Sequence, residues 1–249
     1  MSQKRPAKPT NEAEFLDAYD PGAFERPSVA VDVVLLTVRE DALEVALLRR
    51  AEHPDKGQKA LPGAFVGIAE SLDDAAARLV AEKVGRSGIY LEQLYTFGAP
   101  QRDPRMRIIT VAYCALVNPE RLADLDAGLE RCRIHVPWGG ETGGAVEVRD
   151  DYGAPLTLAL DHAEVVGVAV KRIRGKLNYA PIGYQLLPEE FTLRRLQQVH
   201  ETILDNPVNK DSFRRRMLAT GDLEATGRLE QEVGHRPAEL YRFSRRSAV

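Results

Sequence analysis

Residues 61–86 read LPGAFVGIAESLDDAAARLVAEKVGR, and the rest of the chain is organised around this stretch. Ser71 stands where a helix N-cap belongs, and Asp74 three residues on completes a capping-box pattern. Ala75, Ala76, Leu79 and Val80 then supply an apolar stripe at helical spacing. Gly85 offers the left-handed residue on which helices stop. The spacing predicts a helix over 72–84, entered from a Gly-rich loop.

Glu70, Arg78, Val80, Glu82 and Gly85 also fall in register with a longer pattern: Gly, five residues, Glu, seven residues, then Arg-Glu-apolar-x-Glu-Glu-x-Gly. The stretch resembles a Nudix box. Three positions depart from it: Ala64 replaces the box glycine, and Leu79 and Lys83 replace two glutamates. Helical spacing puts 79, 82 and 83 on one face. Three carboxylates there would attract a hard divalent cation, and a metal so held activates water against a pyrophosphate. Here the positions carry an aliphatic group, one carboxylate and one ammonium. The pattern predicts a pocket that binds a nucleoside diphosphate compound without cleaving it, with Lys83 lending positive charge. Residual hydrolysis and a purely structural helix are the alternatives. No catalytic residue, metal ligand or obligatory cofactor is assigned.

The chain is 249 residues long, comfortable for two domains. A net charge of −3 gives no global basic field, so any nucleic-acid surface must be local. Cys114 and Cys132 lack metal-ligand spacing and read as reduced thiols. No apolar run of about 18 residues suggests a membrane span. Met1–Pro9 is basic without an apolar core region, so it reads as a solvated tail; a cytoplasmic location follows as the expectation.

Upstream of the central stretch, 11–22 has helix-compatible spacing with Phe15 and Tyr19 at i and i+4. Val29–Val38 is an almost continuous apolar run, as in a buried strand. Asp32 interrupts it, either facing an edge or hydrogen-bonded in a ligand site. A turn over 40–42 leads to a second strand, 43–50, ending in Arg49 and Arg50; an arginine beside a phosphate pocket makes a planar clamp. Downstream, strands are predicted over 89–97 and 108–117, flanking the charged loop 101–107. That loop is a solvated hairpin tip, or Arg102, Asp103 and Arg105 reach the ligand's phosphates or ribose. Residues 118–144 carry no clear pattern. Trp138, the single tryptophan, is an anchored loop residue, a stacking platform or an interface cover. A small hairpin is expected over 146–160. A helix follows to about 174, with Asp161 as N-cap and His162 as a packing or capping residue. One α/β domain, 27–175, accounts for these elements behind an N-terminal arm, 1–26.

Beyond Gly175 the composition shifts. Residues 176–187 read as a short connecting helix. Thr192 caps a helix with Leu193, Leu196, Val199, His200 and Ile203 on one face. Pro207 breaks it, and Asn209 caps KDSFRRRMLATG, which stops at Gly221. The segment 223–244 reads as a two-stranded ribbon. Helices, break, helix and ribbon outline a winged helix-turn-helix over 176–249. With Phe213 and Met217 inward, Asp211, Ser212 and Arg215 point outward, flanked by Arg214 and Arg216. Such a face enters a major groove, where arginine pairs bidentately with guanine. Arg228, His235 and Arg236 belong to the wing. The alternative is a solvated helix face.

The two halves together, with LYTFG, RDPR, VAY, LDHAEV, RGKLNY, LLPEEFTL, FRRRML and RPAELYRF, resemble the Nudix-related transcriptional regulators of NAD metabolism. The resemblance covers 29–244. It implies an α/β fold, an N-terminal Nudix-like α/β/α sandwich followed by a C-terminal winged helix-turn-helix domain. It implies a homodimeric repressor on a palindromic double-stranded DNA operator, controlled by ADP-ribose or a related NAD-derived nucleotide. A Nudix hydrolase with an appended helical domain is the alternative function. Candidate effector-binding residues are Arg49, Arg50, Phe65, Glu70, Arg78, Glu82, Lys83, Arg102, Asp103 and Arg105. Candidate DNA-binding residues are Thr192, Lys210, Asp211, Ser212, Arg214, Arg215, Arg216, Arg228, His235 and Arg236.

Overall fold

A computed structural model describes residues 10–85, 89–122, 128–177, 179–231, 234 and 236–244. Its first half runs α1 (Glu12–Ala18), β1 (Ser28–Arg39), β2 (Ala42–Arg49), β3 (Lys59–Ala60), β4 (Gly63–Phe65), α2 (Leu72–Val84), β5 (Tyr90–Phe97) and β6 (Ile108–Leu116). Then follow β7 (Leu129–His135), β8 (Glu147–Arg149), β9 (Pro155–Leu156) and α3 (His162–Lys176). The last part holds a 3-10 turn (Pro181–Leu186), β10 (Glu190–Thr192), α4 (Leu193–Leu204), α5 (Lys210–Ala219), β11 (Leu223–Leu229) and β12 (Glu239–Phe243).

The large sheet has the order β5-β6-β1-β2-β7-β8-β9, with β3 paired to β2 and β4 to β1. Only β1 and β6 run parallel among these pairs. Strand β1 is apolar on both faces because both are covered. Val31, Val33 and Leu35 pack with Ala75, Ala76, Leu79 and Val80 of α2. Val34, Leu36 and Val38 face the other way, into a core shared with Val165, Val166, Ala169 and Val170 of α3. That second core continues without a break through Leu186, Phe191, Leu196, Ile203, Phe213 and Met217. The C-terminal elements are therefore packed onto the α3 side of the sheet, and α2 lies on the opposite side.

Helix α2 forms as its sequence requires. The Asp74 backbone N–H donates to Ser71 Oγ at 3.1 Å, and Gly85 ends the helix at φ 67°. The reciprocal contact differs from a full capping box: the Asp74 carboxylate accepts from the Ser71 hydroxyl, at 2.7 Å. In the C-terminal part, Thr192 and Asn209 cap α4 and α5, accepting from the N–H groups of Arg195 and Ser212. The expected helix over 176–187 is instead the end of α3 and a 3-10 turn, consistent with Pro181 starting a new element. The two-stranded ribbon gains a third strand, since β12 also pairs with β10. Tyr184 stacks on Phe243 with centroids 4.4 Å apart, sealing that small sheet. Trp138 is an anchored loop residue: its indole N–H donates to Ala145 O, and Arg174 lies over its ring.

Candidate functional site

Two polar clusters flank the segment that leads into α2. In the first, Glu70 and Arg78 form a bidentate ion pair, at 2.7 and 3.0 Å. Glu70 also accepts from the Gly67 N–H, and Arg78 reaches Glu82 at 3.3 Å. The Arg78 pair, helped by that N–H, holds the Glu70 carboxyl down at about 2, so it stays ionised. Arg78 thus fixes the loop 66–70 against the helix start. Lys83 is half-buried on the last turn.

Leu79 corrects the expected face. It is 3% exposed and packs in the α2 core, so positions 79, 82 and 83 do not present one surface. Helical spacing sets the three within about 100° of one another, with Glu82 at the exposed edge, Lys83 half-buried and Leu79 in the core.

The second cluster is buried. Arg102 donates to both Asp161 oxygens, at 2.9 and 2.7 Å, and approaches Asp32 at 3.4 Å. This settles the place of Asp32: its side chain is held in a polar site inside the fold. Asp161 occupies the N-cap position of α3 without capping it, because its carboxylate is taken by Arg102. His162 beside it accepts from the Leu61 N–H at 3.0 Å, and burial lowers its pKa, keeping the ring neutral. Asp103 is buried too, ion-paired with Arg105, which lowers its pKa. Arg102 and Asp103 were expected on a solvated or ligand-facing loop. They are turned inward, because the cost of burying each charge is offset by a charged partner. Arg105 keeps a half-exposed side chain.

Residues 61–70 join the clusters. Leu61 meets His162, Gly63 lies against Asp32, and Gly67 meets Glu70. A Cβ on Gly63 would sit 2.4 Å from Asp32 Oδ1, so the glycine permits the close approach. Phe65 at the end of β4 is exposed. Arg50 is drawn to its own loop through Pro54 O, and Arg49 through Gly57 O. Among the described residues no group of three His, Cys, Asp or Glu side chains is placed to hold a metal ion. No described helix is long and apolar enough to cross a membrane.

The DNA-facing candidates separate in the same way. Lys210, Asp211, Ser212, Arg214, Arg215 and Arg216 are exposed along α5, while Phe213 and Met217 are buried. Thr192 is a correction: it is 7% exposed and its hydroxyl caps α4, so it is spent inside the fold. Arg228 is ion-paired with Glu190, and Arg236 is exposed. His235 lies outside the described residues. Sequence reasoning missed the roles of Asp161 and Arg174. Each looked like an ordinary helix-end residue, and the signal is tertiary.

Residues 183–243 match the NrtR DNA-binding winged helix domain, and residues 26–138 match the NUDIX domain. Over 237 residues the chain is 34% identical to a protein of Acinetobacter baylyi described as "ADPR responsive transcriptional repressor NtrR", covering 94% of this chain and 89% of that one. The chain belongs to the NrtR family. A crystal structure of Shewanella oneidensis NrtR complexed with a 27mer DNA is similar at a TM-score of 0.71 and 32% identity, covering 86% of this chain and 93% of the other. An ADP-ribose pyrophosphatase of Methanocaldococcus jannaschii is 33% identical over 90 residues, 36% of this chain and 51% of that protein. The repressor likeness spans 94% of the chain, whereas the pyrophosphatase likeness spans 36% of it.

Proposed function

We propose that this protein is a DNA-binding transcriptional repressor controlled by ADP-ribose or a related NAD-derived nucleotide. The observation that carries the reading is α5. It is a capped helix with Arg214, Arg215 and Arg216 exposed, set in a winged fold that shares one continuous core with a Nudix-type sheet. The similarity to a DNA-bound NrtR and to a repressor described as ADP-ribose responsive supports both halves of it.

Arg215 reads a base edge in the major groove, and Lys210, Arg214 and Arg216 hold phosphates on either side. Arg228 and Arg236 bring the wing to the adjacent backbone. A homodimer presents two such helices one or two helical turns apart on a palindrome. The genes controlled are those of NAD synthesis or salvage, and the protein works in the cytoplasm.

The effector lies along the 61–70 segment, between the Glu70–Arg78 pair and the Arg102 cluster. Arg49, Arg50, Lys83 and Arg105 supply positive charge toward a diphosphate, and Phe65 offers a ring to a base or ribose. Arg102, Asp103, Glu70 and Glu82 position these groups. The site does not suit a catalytic divalent cation: Leu79 is in the core, Lys83 is cationic, and the Glu70 and Glu82 carboxylates are engaged by Arg78. Binding without turnover follows.

A labelled duplex selected for binding by the full-length protein tests the reading. Its affinity is measured with and without saturating ADP-ribose, and at several salt concentrations. A ligand-dependent change and a steep salt dependence are expected. Unchanged affinity at saturating ligand refutes the effector, and absence of sequence preference refutes the DNA reader.

A further inference from the structure

Helix α3 touches both functional halves. Its first residue adjoins Asp161, which is clamped by Arg102 of the 101–107 loop. About 18 Å away, at 1.5 Å per residue, its last turn carries Arg174. On either side of Arg174, Arg172 and Lys176 both donate to Glu92 of β5, tying the helix to the sheet.

Arg174 is 3% exposed and its guanidinium spans a boundary. Nε donates to the Ile203 carbonyl at 2.8 Å, and one terminal nitrogen reaches the Trp138 and Gly140 carbonyls at 3.3 Å. Ile203 O is one of the last carbonyls of α4, which no intrahelical N–H satisfies. So a side chain from α3 caps the helix that precedes the reading helix. The turn after α4 is held in its own right, because Glu201 accepts from the Val208 N–H at 2.9 Å. A shift of the α4 end therefore carries α5 with it.

The 138–145 loop clasps the same stretch of α3. Lys171 Nζ donates to Thr142 O at 3.3 Å. Gly167 lies so close that a Cβ there would be 1.9 Å from Gly144 O. Trp138 lies beneath the Arg174 guanidinium, 5.1 Å from ring centroid to Cζ. Three neutral carbonyls and an aromatic face surround a buried cation. Among the described residues Arg174 makes no direct ion pair, and Asp205 is the nearby counter-charge, so its donors are held by carbonyls alone.

The geometry points to Arg174 as the coupling residue through which occupancy of the effector site changes the placement of the reading helix. The inference rests on the repressor reading above and adds its route. A nucleotide that re-aims the 101–107 loop pulls Arg102 and Asp161, and α3 moves as a strut. Arg174 then redistributes its donors between the α4 carbonyl and the 138–140 carbonyls. The energy available is the differential affinity of the ligand for the two placements.

The test measures the ratio of duplex affinity without and with saturating ADP-ribose in the wild type, Arg174→Met and Arg174→Lys. The expected wild-type ratio is on the order of tenfold. In the variants each ligand alone binds within about threefold of wild type, and the ratio falls toward one. A variant ratio equal to wild type overturns the inference and leaves the repressor reading standing; a wild-type ratio of one overturns both. Emission from Trp138, the single tryptophan, reads the junction in the unaltered protein and decides the matter if the variants fail to fold. Emission should differ between the duplex-bound and ADP-ribose-bound states, and identical spectra in both states overturn the inference.

Discussion

Lowering the pH should loosen the DNA-reading half through one histidine. His200 on α4 is 4% exposed, with its ring edge-on to Phe213 of α5 at 5.0 Å. Its Nδ1 has no hydrogen-bond partner among the described residues, and a Cβ on Gly183 would sit 3.0 Å from the other ring nitrogen. Burial, with a smaller contribution from Arg216, lowers its pKa from 6.5 to about 4. The folded form therefore disfavours the proton that the unfolded chain accepts. Stability from this group is complete above about 6.5, falls as the pH drops toward 4, and is then fully lost. Between pH of about 7.5 and about 5 the loss is about 2 kcal/mol, and by about pH 4 it approaches 3 kcal/mol. His200→Leu removes the titration and keeps an apolar filler. Urea unfolding of both proteins by far-UV circular dichroism, at several pH values, gives the difference directly. Effects of other groups, buried His162 included, cancel in that difference. The wild-type disadvantage should grow by about 2 kcal/mol on acidification. A gap independent of pH, or a His200 resonance titrating near its ordinary value, refutes the reasoning.

Gly63→Ala should cost about 1–3 kcal/mol in thermal unfolding and weaken ADP-ribose binding by calorimetry, because the new methyl displaces Asp32 from Arg102. Restoring an acid with Leu79→Glu should lower stability by at least about 2 kcal/mol without creating magnesium-dependent phosphate release, since that side chain is buried; robust turnover would contradict the assignment. Arg215→Ala should cost about 1–3 kcal/mol on the selected duplex and relax its base preference in a competition assay. Arg236→Ala should weaken all duplexes alike and reduce the salt slope by about one, read from binding at several salt concentrations.

What could be read in advance divides by range of interaction. Helix α2 was legible to its end residues because Ser71, the apolar stripe and Gly85 are local signals. The same holds for Asn209 before α5 and for the apolar run of β1. Leu79 misled for a related reason: spacing shows which residues neighbour one another on a helix, but the direction of the core comes from the sheet. Arg102 and Asp103 could not be placed between a solvated tip and a ligand-facing loop, because only Asp161, 59 residues away, reveals that Arg102 is in a buried pair. Residues 118–144 were opaque because β7 pairs with β2 across the chain and the 138–145 loop is shaped by α3.

The division of labour follows from the two faces of one sheet. Cations for Nudix chemistry would have to be held on the α2 side, where a Leu in the core and a Lys on the rim now stand. The winged helix packs on the α3 side, where its core merges with that of the sheet. A change confined to α2 would leave the reading helix untouched. The Arg102–Asp161 clamp crosses that divide, reaching from the 101–107 loop to the start of α3, on whose side the winged helix packs. For a sensor, then, retaining this clamp matters more than retaining the acids of the box. The chain has that distribution: its box glutamates are thinned, while the buried Arg102 keeps two carboxylates within 3.4 Å.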